Sequence, residues 1–199
     1  MPVPHQQSPV LILASESPRR KELLRRTGAD FLCVPADVAE YSEGDIPDEL
    51  PAKNALLKAE FVAERFPEHF VLGADTGVFS GQKMLGKPAD HEDAVRMLSA
   101  LSGTTHRVIT GTALVCRSRQ IKVVWSTVSY VSMGVLSRED IENYLRCVYV
   151  LDKAGAYAIQ EHPELLKASW QGELENIIGL PLLKLNEVLK SYQIVKNQA

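Results

Sequence analysis

Cationic and acidic side chains recur beside the predicted ends of helices and strands in this sequence. Cations at such positions bind phosphate oxygens, and arginine does so through its forked guanidinium group. Nearby carboxylates would let the same site hold a divalent metal, which prefers hard oxygen ligands and bridges to phosphate. A carboxylate beside that metal can also take the proton from an attacking water. The pattern therefore predicts metal-assisted hydrolysis of a phosphate ester or anhydride. The residues expected to carry it are Arg19, Arg20, Glu40, Lys58, Asp75 and Lys87.

The first two cations lie at the predicted start of a helix. An apolar run ends at Ala14, and Ser17 followed by Pro18 is typical of a helix N-terminus. Arg19 and Arg20 then fall in the first turn, where the helix dipole disfavours cations. Free backbone N–H groups and two guanidinium groups here favour a site for a polyanion such as phosphate. This stretch alone leaves open a second interpretation, a strand-to-helix corner whose arginines lie in solvent.

Glu40 and Lys58 belong to the next part of the chain. Glu40 lies in a loop over 36–50 that is rich in acids, and such a loop is also typical of a solvated surface. Pro51 can open a second helix, on whose flank Lys58 falls. The sequence therefore predicts that a helix carries one of the cations, and a loop one of the carboxylates.

Asp75 and Lys87 follow a predicted core strand. The apolar run over 71–76 terminates in Asp75, at the place where a functional acid is expected in an α/β sheet. A tight turn over 80–82 then predicts a hairpin, and Lys87 follows it.

The rest of the chain alternates between helical and strand patterns. Capped helical patterns follow Asp90 and Ser137. Two long alternating runs, 105–116 and 121–133, predict an antiparallel hairpin. Further strands are predicted at 9–14, at 31–35, at the end of the stretch 152–160, which opens with a charged turn, and at 164–170. A closing helix is predicted at 182–189.

No linker or repeat divides the chain. We expect one α/β domain over residues 1–199, with a subsidiary lobe formed by 90–150. Loose tails are predicted at 1–8 and 192–199.

Composition narrows the classes of partner. A net charge of -3 argues against a nucleic-acid or anionic-membrane surface, because those partners require a basic excess. The three cysteines match no zinc or redox pattern, and the five histidines are isolated. The N-terminal residues lack the features of a signal peptide, and no apolar run approaches the roughly 20 residues that span a bilayer. We therefore expect a cytoplasmic protein without a nucleic-acid or membrane partner.

An ordered set of short motifs resembles the Maf family of nucleoside triphosphate pyrophosphatases. The stretches that carry the resemblance are LASESPRR at 13–20, GADT at 73–76, LGKP at 85–88, LSG at 101–103, DKAGAYAIQ at 152–160 and GLP at 179–181. The resemblance implies an α/β fold, a mixed twisted sheet with flanking helices in two lobes around a cleft, as in inosine-triphosphate pyrophosphatases. It also implies hydrolysis of a nucleoside triphosphate to monophosphate and pyrophosphate with Mg²⁺ or Mn²⁺, and formation of a homodimer.

The resemblance also implies a role for each site residue. Ser15, Arg19 and Arg20 would bind phosphates, and Lys58 and Lys87 would add positive charge around the triphosphate. Glu40 and Asp75 would bind the metal and activate the water, with Asp75 as general base. Gln160 would lie near the metal or the substrate.

Within the family, the chain is similar to the branch that acts on dTTP and UTP. Arg19 and Tyr157 carry this similarity. The alternatives are the branch that acts on 7-methyl-GTP and a nucleotide-binding regulator of septum formation without turnover. Gly77, Phe79 and Glu161 depart from the family pattern, and Glu161 adds a carboxylate beside the site that would either bind metal or weaken triphosphate binding.

Overall fold

A mixed β-sheet forms the centre of the protein. The computed structural model describes residues 10–42 and 46–195, and the predicted tail at 1–8 lies outside them. The strands in this part of the chain are β1 (Leu11–Leu13), β2 (Phe31–Cys33), β3 (Phe70–Ser80), β4 (Lys83–Leu85), β5 (Thr105–Cys116), β6 (Ile121–Ser132) and β7 (Ser169–Gln171). The strand order is β2-β1-β3-β5-β6-β7, and β4 pairs with β3.

Parallel and antiparallel pairings divide the sheet. β1 is parallel to both β2 and β3, whereas β3 pairs antiparallel with β4 and β5. β5 and β6 form a long antiparallel hairpin, and β7 adds to β6. The two predicted hairpins are therefore confirmed, as is a mixed sheet with flanking helices.

Six helices pack around this sheet in the described residues. They are α1 (Pro18–Arg25), α2 (Leu50–Arg65), α3 (His91–Leu101), α4 (Arg138–Cys147), α5 (Leu174–Ile178) and α6 (Leu182–Ser191), with short 3-10 turns at Pro47–Glu49 and Ala154–Ala156. The predicted caps are confirmed, because the side chains of Ser17, Asp90 and Ser137 each accept a backbone hydrogen bond at a helix start. No described helix combines the length and the apolar character needed to cross a bilayer.

Apolar side chains of the described residues form three groups, two on one face of the sheet and one, under α2, on the other. α1 and α6 pack on one group that includes Leu13, Leu24 and Leu185. α3 and α4 share another group with the chain over 156–166.

Helix α2 lies unusually close to the sheet. A Cβ atom on Gly73 of β3 would stand 2.1 Å from the carbonyl oxygen of Ala55. A Cβ atom on Gly111 of β5 would stand 2.2 Å from backbone atoms of Pro51 and Ala52. Only glycine permits this approach, which brings the side chains of α2 within reach of the middle of β3.

Asp75 lies in the middle of a strand, and its prediction at a strand end is wrong. β3 continues to Ser80 because its pairing with β5 extends from Val71 to Phe79. Its parallel neighbour β1 ends at Leu13, opposite Leu72. Asp75 therefore lies beyond the carboxyl end of β1 although its own strand continues.

Two of the shorter predicted strands are wrong. The stretch 152–160 contains no strand, because the backbone of Ala158 bonds to the hydroxyl of Tyr144 and Glu161 N–H bonds back to Ala158. Over 164–170 the backbone is a series of turns with a positive φ of 48° at Lys167, and only β7 at its end is extended.

The predicted C-terminal tail is wrong for residues 192–195, and residues 196–199 lie outside the described residues. Tyr192 and Ile194 pack against the apolar group under α1 and α6, and Val195 is buried there. These apolar side chains explain why residues 192–195 fold back onto the core.

Candidate active site

A cavity of about 1010 Å³ opens beside the end of β1. Its walls come from the β1–α1 corner, the chain over 35–42, α2, β3, the end of β4 and the chain over 152–160. It brings together every predicted site residue: Ser15, Arg19, Arg20, Glu40, Lys58, Asp75, Lys87 and Gln160. The interpretation of the β1–α1 corner as exposed to bulk solvent is thus disfavoured, while the individual roles stay predictions.

Lys58 lies between the two carboxylates of the predicted set. Its Nζ atom is 2.8 Å from Oδ1 of Asp75 and 2.9 Å from Oε1 of Glu40. Lys58 is 7 % exposed, so it faces the cavity floor rather than a solvent flank of α2. The ammonium group holds the two acids on the same side of the cavity.

Asn54 is a site residue that the sequence analysis missed. Its Nδ2 group donates to Oδ2 of Asp75 at 3.1 Å and to the carbonyl of Tyr41 at 3.0 Å. Its Oδ1 atom accepts from the backbone N–H of Tyr41 at 2.8 Å. A signal was present, because Asn54 precedes Lys58 by four residues and residues four apart share a helix face.

Arg20 is held in place by three hydrogen bonds. Nε donates to the carbonyl of Gly179 at 2.9 Å, one terminal nitrogen to Thr76 Oγ1 at 3.1 Å, and the other to Ser15 Oγ at 3.5 Å. A guanidinium group has five N–H donors, so two remain for a ligand in the cavity. Burial lowers the pKa of Arg20, while the charges of Asp75 and Glu40 oppose that shift.

Thr76 links Arg20 to the core of the sheet. Its hydroxyl lies 3.0 Å from that of Thr110 on β5, which donates to the carbonyl of Asn176 at 2.9 Å. Thr110 is fully buried. This hydroxyl chain fixes the orientation of Arg20 from below the cavity.

Arg19 points across the cavity toward the chain over 152–160. Its NH1 atom is 3.7 Å from Oδ2 of Asp152, whose other oxygen accepts from Lys153 at 2.9 Å. Partial burial opposes ionisation of Asp152, but the hydrogen bond and charge of Lys153 and the charge of Arg19 outweigh it and lower the pKa of Asp152. The sequence analysis assigned no role to Asp152.

The remaining predicted residues line the cavity and make fewer hydrogen bonds to the rest of the protein. Ser15 is buried, and its Oγ accepts from the backbone N–H of Ser17 at 3.2 Å. Lys87 and Gln160 are exposed at the cavity margin. Gln160 donates to Glu161 at 3.4 Å.

The three departures from the family pattern have structural explanations. A Cβ atom on Gly77 would meet the ring of Phe79 at 2.7 Å, so glycine there leaves room for the buried phenylalanine. Glu161 lies 3.9 Å from Lys153 and is not among the cavity-lining residues. Its carboxylate is therefore directed to Lys153 rather than to Asp75.

A buried pair supports the wall that includes Tyr157. The hydroxyl of Tyr157 lies 2.8 Å from Nε2 of His106 on β5. Burial lowers the pKa of His106 to about 4 and raises that of Tyr157. Both groups are therefore neutral near pH 7, and the pair fixes the position of this wall without adding charge.

The donor set of the cavity suits a divalent cation that arrives with phosphate. No group of three or more His, Cys, Asp or Glu side chains fit for a metal occurs in the described residues. Mg²⁺ is commonly held by one or two carboxylates together with substrate phosphates and waters. Glu40 and Asp75 offer two such carboxylates on one side of the cavity, so the residues fit this kind of site.

Comparisons with known proteins agree with this architecture. A family model described as "Maf-like protein" matches residues 10–192. The dTTP/UTP pyrophosphatase of Akkermansia muciniphila is 45% identical over 175 residues, which cover 87% of this chain and 92% of that protein. The dTTP/UTP pyrophosphatase of Symbiobacterium thermophilum is 44% identical over 183 residues, covering 92% of this chain and 93% of that protein.

A solved structure shows a similar fold. The Ham1 protein of Staphylococcus aureus superposes with a TM-score of 0.53 and 15% identity. The match covers 92% of this chain and 98% of that one. At this identity the likeness shows the fold alone.

Proposed function

Because this chain belongs to the family of Maf-like proteins, we propose that it hydrolyses dTTP and UTP to the monophosphate and pyrophosphate. Two relatives that are 45% and 44% identical over most of their length carry the name dTTP/UTP pyrophosphatase. This similarity supports a pyrimidine nucleotide as substrate.

The observation that carries the proposal is the convergence of charge in one cavity. Arg19, Arg20 and Lys87 supply cations around a space that is large enough for a nucleotide, and Lys58 joins Glu40 to Asp75 beside them. A protein that only binds phosphate needs the cations. The two carboxylates are the additional chemistry that hydrolysis requires.

The cations would bind and orient the triphosphate. Arg20 has two N–H donors left on a guanidinium group that Gly179, Thr76 and Ser15 already hold. Such preorganised donors bind charge without reorganising when the transition state forms. Arg19 and Lys87, which also line the cavity, would contact the outer phosphates.

The carboxylates would activate the attacking water and hold the metal. Asp75 would accept the proton of the attacking water, because Lys58 and Asn54 hold its two oxygens in fixed positions at the cavity. Glu40 and Asp75 would hold Mg²⁺ or Mn²⁺, which when bound neutralises charge on the phosphate oxygens. Gln160 would contact the substrate at the margin.

A panel of nucleotides tests the proposal. The purified protein is incubated with Mg²⁺ and dTTP, UTP, 7-methyl-GTP or ATP, and the products are separated. We expect dTMP or UMP with pyrophosphate, from dTTP and UTP in preference. Diphosphate with inorganic phosphate would contradict the reaction, and preference for 7-methyl-GTP would contradict the substrate. Binding without any release would favour a regulator instead.

A further inference from the structure

Asn54 joins two separate parts of the cavity wall. It is 2 % exposed, and one side chain makes all three hydrogen bonds to Tyr41 and Asp75. The amide of asparagine has two N–H donors, and both are used here. The group therefore has one orientation in which all its partners are satisfied.

The hydrogen bonds to the backbone of Tyr41 also restrain Glu40, the preceding residue. Tyr41 follows Glu40 directly, and its own side chain is 54% exposed and so does little to hold the segment. Asn54 bonds to both the N–H and the carbonyl of Tyr41, as a paired residue on a neighbouring strand does. Restraining that peptide restrains the carboxylate beside it.

The bond to Asp75 sets the second carboxylate. Lys58 holds Oδ1 and Asn54 holds Oδ2, so the carboxylate plane is fixed by two donors from one face of α2. Lys58 contacts both acids, but its ammonium group is a point charge on a flexible stem. The planar amide of Asn54, in contrast, fixes the direction of its hydrogen bond to Asp75.

We propose that Asn54 is a positioning residue that holds the Glu40 segment and Asp75 in a fixed relation for the divalent cation. The proposal rests on the function proposed above for the identity of the ligand. Partners that orient metal-binding carboxylates change metal affinity or activity by about 10- to 100-fold when they are removed.

The test substitutes Asn54→Leu, which keeps the branching and the number of heavy atoms of the side chain and removes its polar atoms. Tyr41 lies at the surface and Asp75 faces the cavity, so both can bond water in the variant and folding is retained. The matched control is Asn143→Leu, the same change on α4, where Asn143 accepts a bond from the exposed Arg146 away from the cavity.

Two measurements are made on the folded proteins, besides turnover. One is hydrogen exchange at the Tyr41 amide, and the other is titration with Mn²⁺ in the presence of a non-hydrolysable dTTP analogue. In Asn54→Leu we expect the Tyr41 amide to exchange about tenfold faster, as for a lost hydrogen bond. We expect Mn²⁺ half-saturation to rise at least tenfold, with kcat lowered and KM for the nucleotide little changed. Asn143→Leu should match the parent protein in all of these.

The proposal is overturned if Asn54→Leu leaves Mn²⁺ half-saturation unchanged, whatever happens to turnover. It is equally overturned if Mn²⁺ binding weakens while the Tyr41 amide stays protected, since Asn54 would then act by another route. Should the parent protein release no pyrophosphate, the proposed function fails. The exchange and Mn²⁺ measurements would still decide the role of Asn54.

Discussion

The Nζ atom of Lys58 lies 2.8 Å from Oδ1 of Asp75, with 9 % of the lysine side chain and 14 % of the aspartate side chain exposed. Removing one member of a buried ion pair strands the other charge and costs about 3–5 kcal/mol. In this protein Glu40 offers Lys58 a second carboxylate at 2.9 Å. The lysine therefore stays paired when Asp75 is changed, and catalysis can be tested apart from folding.

Asp75→Asn should abolish most turnover and leave the protein folded. An amide cannot take the proton of water, and loss of general-base catalysis lowers kcat by about 10²- to 10⁴-fold. Its oxygen still accepts from Lys58, and the hydrogen bond that Asn54 donated to Oδ2 is lost. Steady-state pyrophosphate release and a thermal unfolding curve check both parts. The control is Asp30→Asn, which changes an exposed carboxylate outside the cavity. Full activity in Asp75→Asn would contradict the role proposed for Asp75.

Arg19→Ala should weaken binding of the triphosphate by about 10- to 100-fold, the usual effect of losing a hydrogen bond to a charged group. Its ion pair with Asp152 is half-exposed, so the free energy of unfolding should change little. Calorimetric titration with a non-hydrolysable dTTP analogue and with thymidine measures the effect. The loss should be confined to the phosphate-bearing ligand, and Arg25→Ala on the same helix should bind normally. Equal weakening for thymidine would place Arg19 at the base instead.

Gly111→Ala should destabilise the protein and lower activity together. The added Cβ atom would stand 2.2 Å from the backbone of α2, so the helix that carries Lys58 must move away from the sheet. Overpacking of this kind costs about 1–3 kcal/mol. Urea unfolding measures the loss, and Gly86→Ala, where no atom lies within 4 Å of the new Cβ, serves as the stability control. A Gly111→Ala protein as stable as the parent would contradict the close packing of α2.

His106 should make stability fall as the pH drops below about 6.5. Its pKa is lowered from 6.5 to about 4 by burial, so the unfolded chain takes up a proton before the folded protein does. The loss grows between these two pH values and reaches about 2 kcal/mol at pH 5.

Urea unfolding at pH 7.5 and pH 5 measures this effect. His106→Gln removes the titrating group and should shrink the difference in free energy of unfolding between the two pH values by that amount. His91→Gln, the same change at an exposed histidine, is the matched control. An unaltered pH difference in His106→Gln would assign the acid sensitivity to other groups.

Local patterns in the sequence determined most elements of this protein and the types of residue in its candidate site. The caps at Ser17, Asp90 and Ser137 depend on neighbours three residues away, and the hairpins on alternation along adjacent runs. Such signals lie within a few residues, so they can be recognised without knowing the fold. The types of residue in the site were likewise apparent, because cations and carboxylates recur along the sequence in motifs that occur in one order, although each residue taken singly also suits a solvated surface.

Only the tertiary structure decided which side chains meet. Asp75 contacts Lys58 and Asn54, 17 and 21 residues away, because Gly73 and Gly111 let α2 approach the middle of β3. Arg20 is anchored to Gly179, 159 residues away. The length of β3 beyond Asp75 depended on pairing with β5, which no pattern within 71–76 encodes. Contacts of this kind are set by packing distance and strand register, and these exist only once distant parts of the chain have come together.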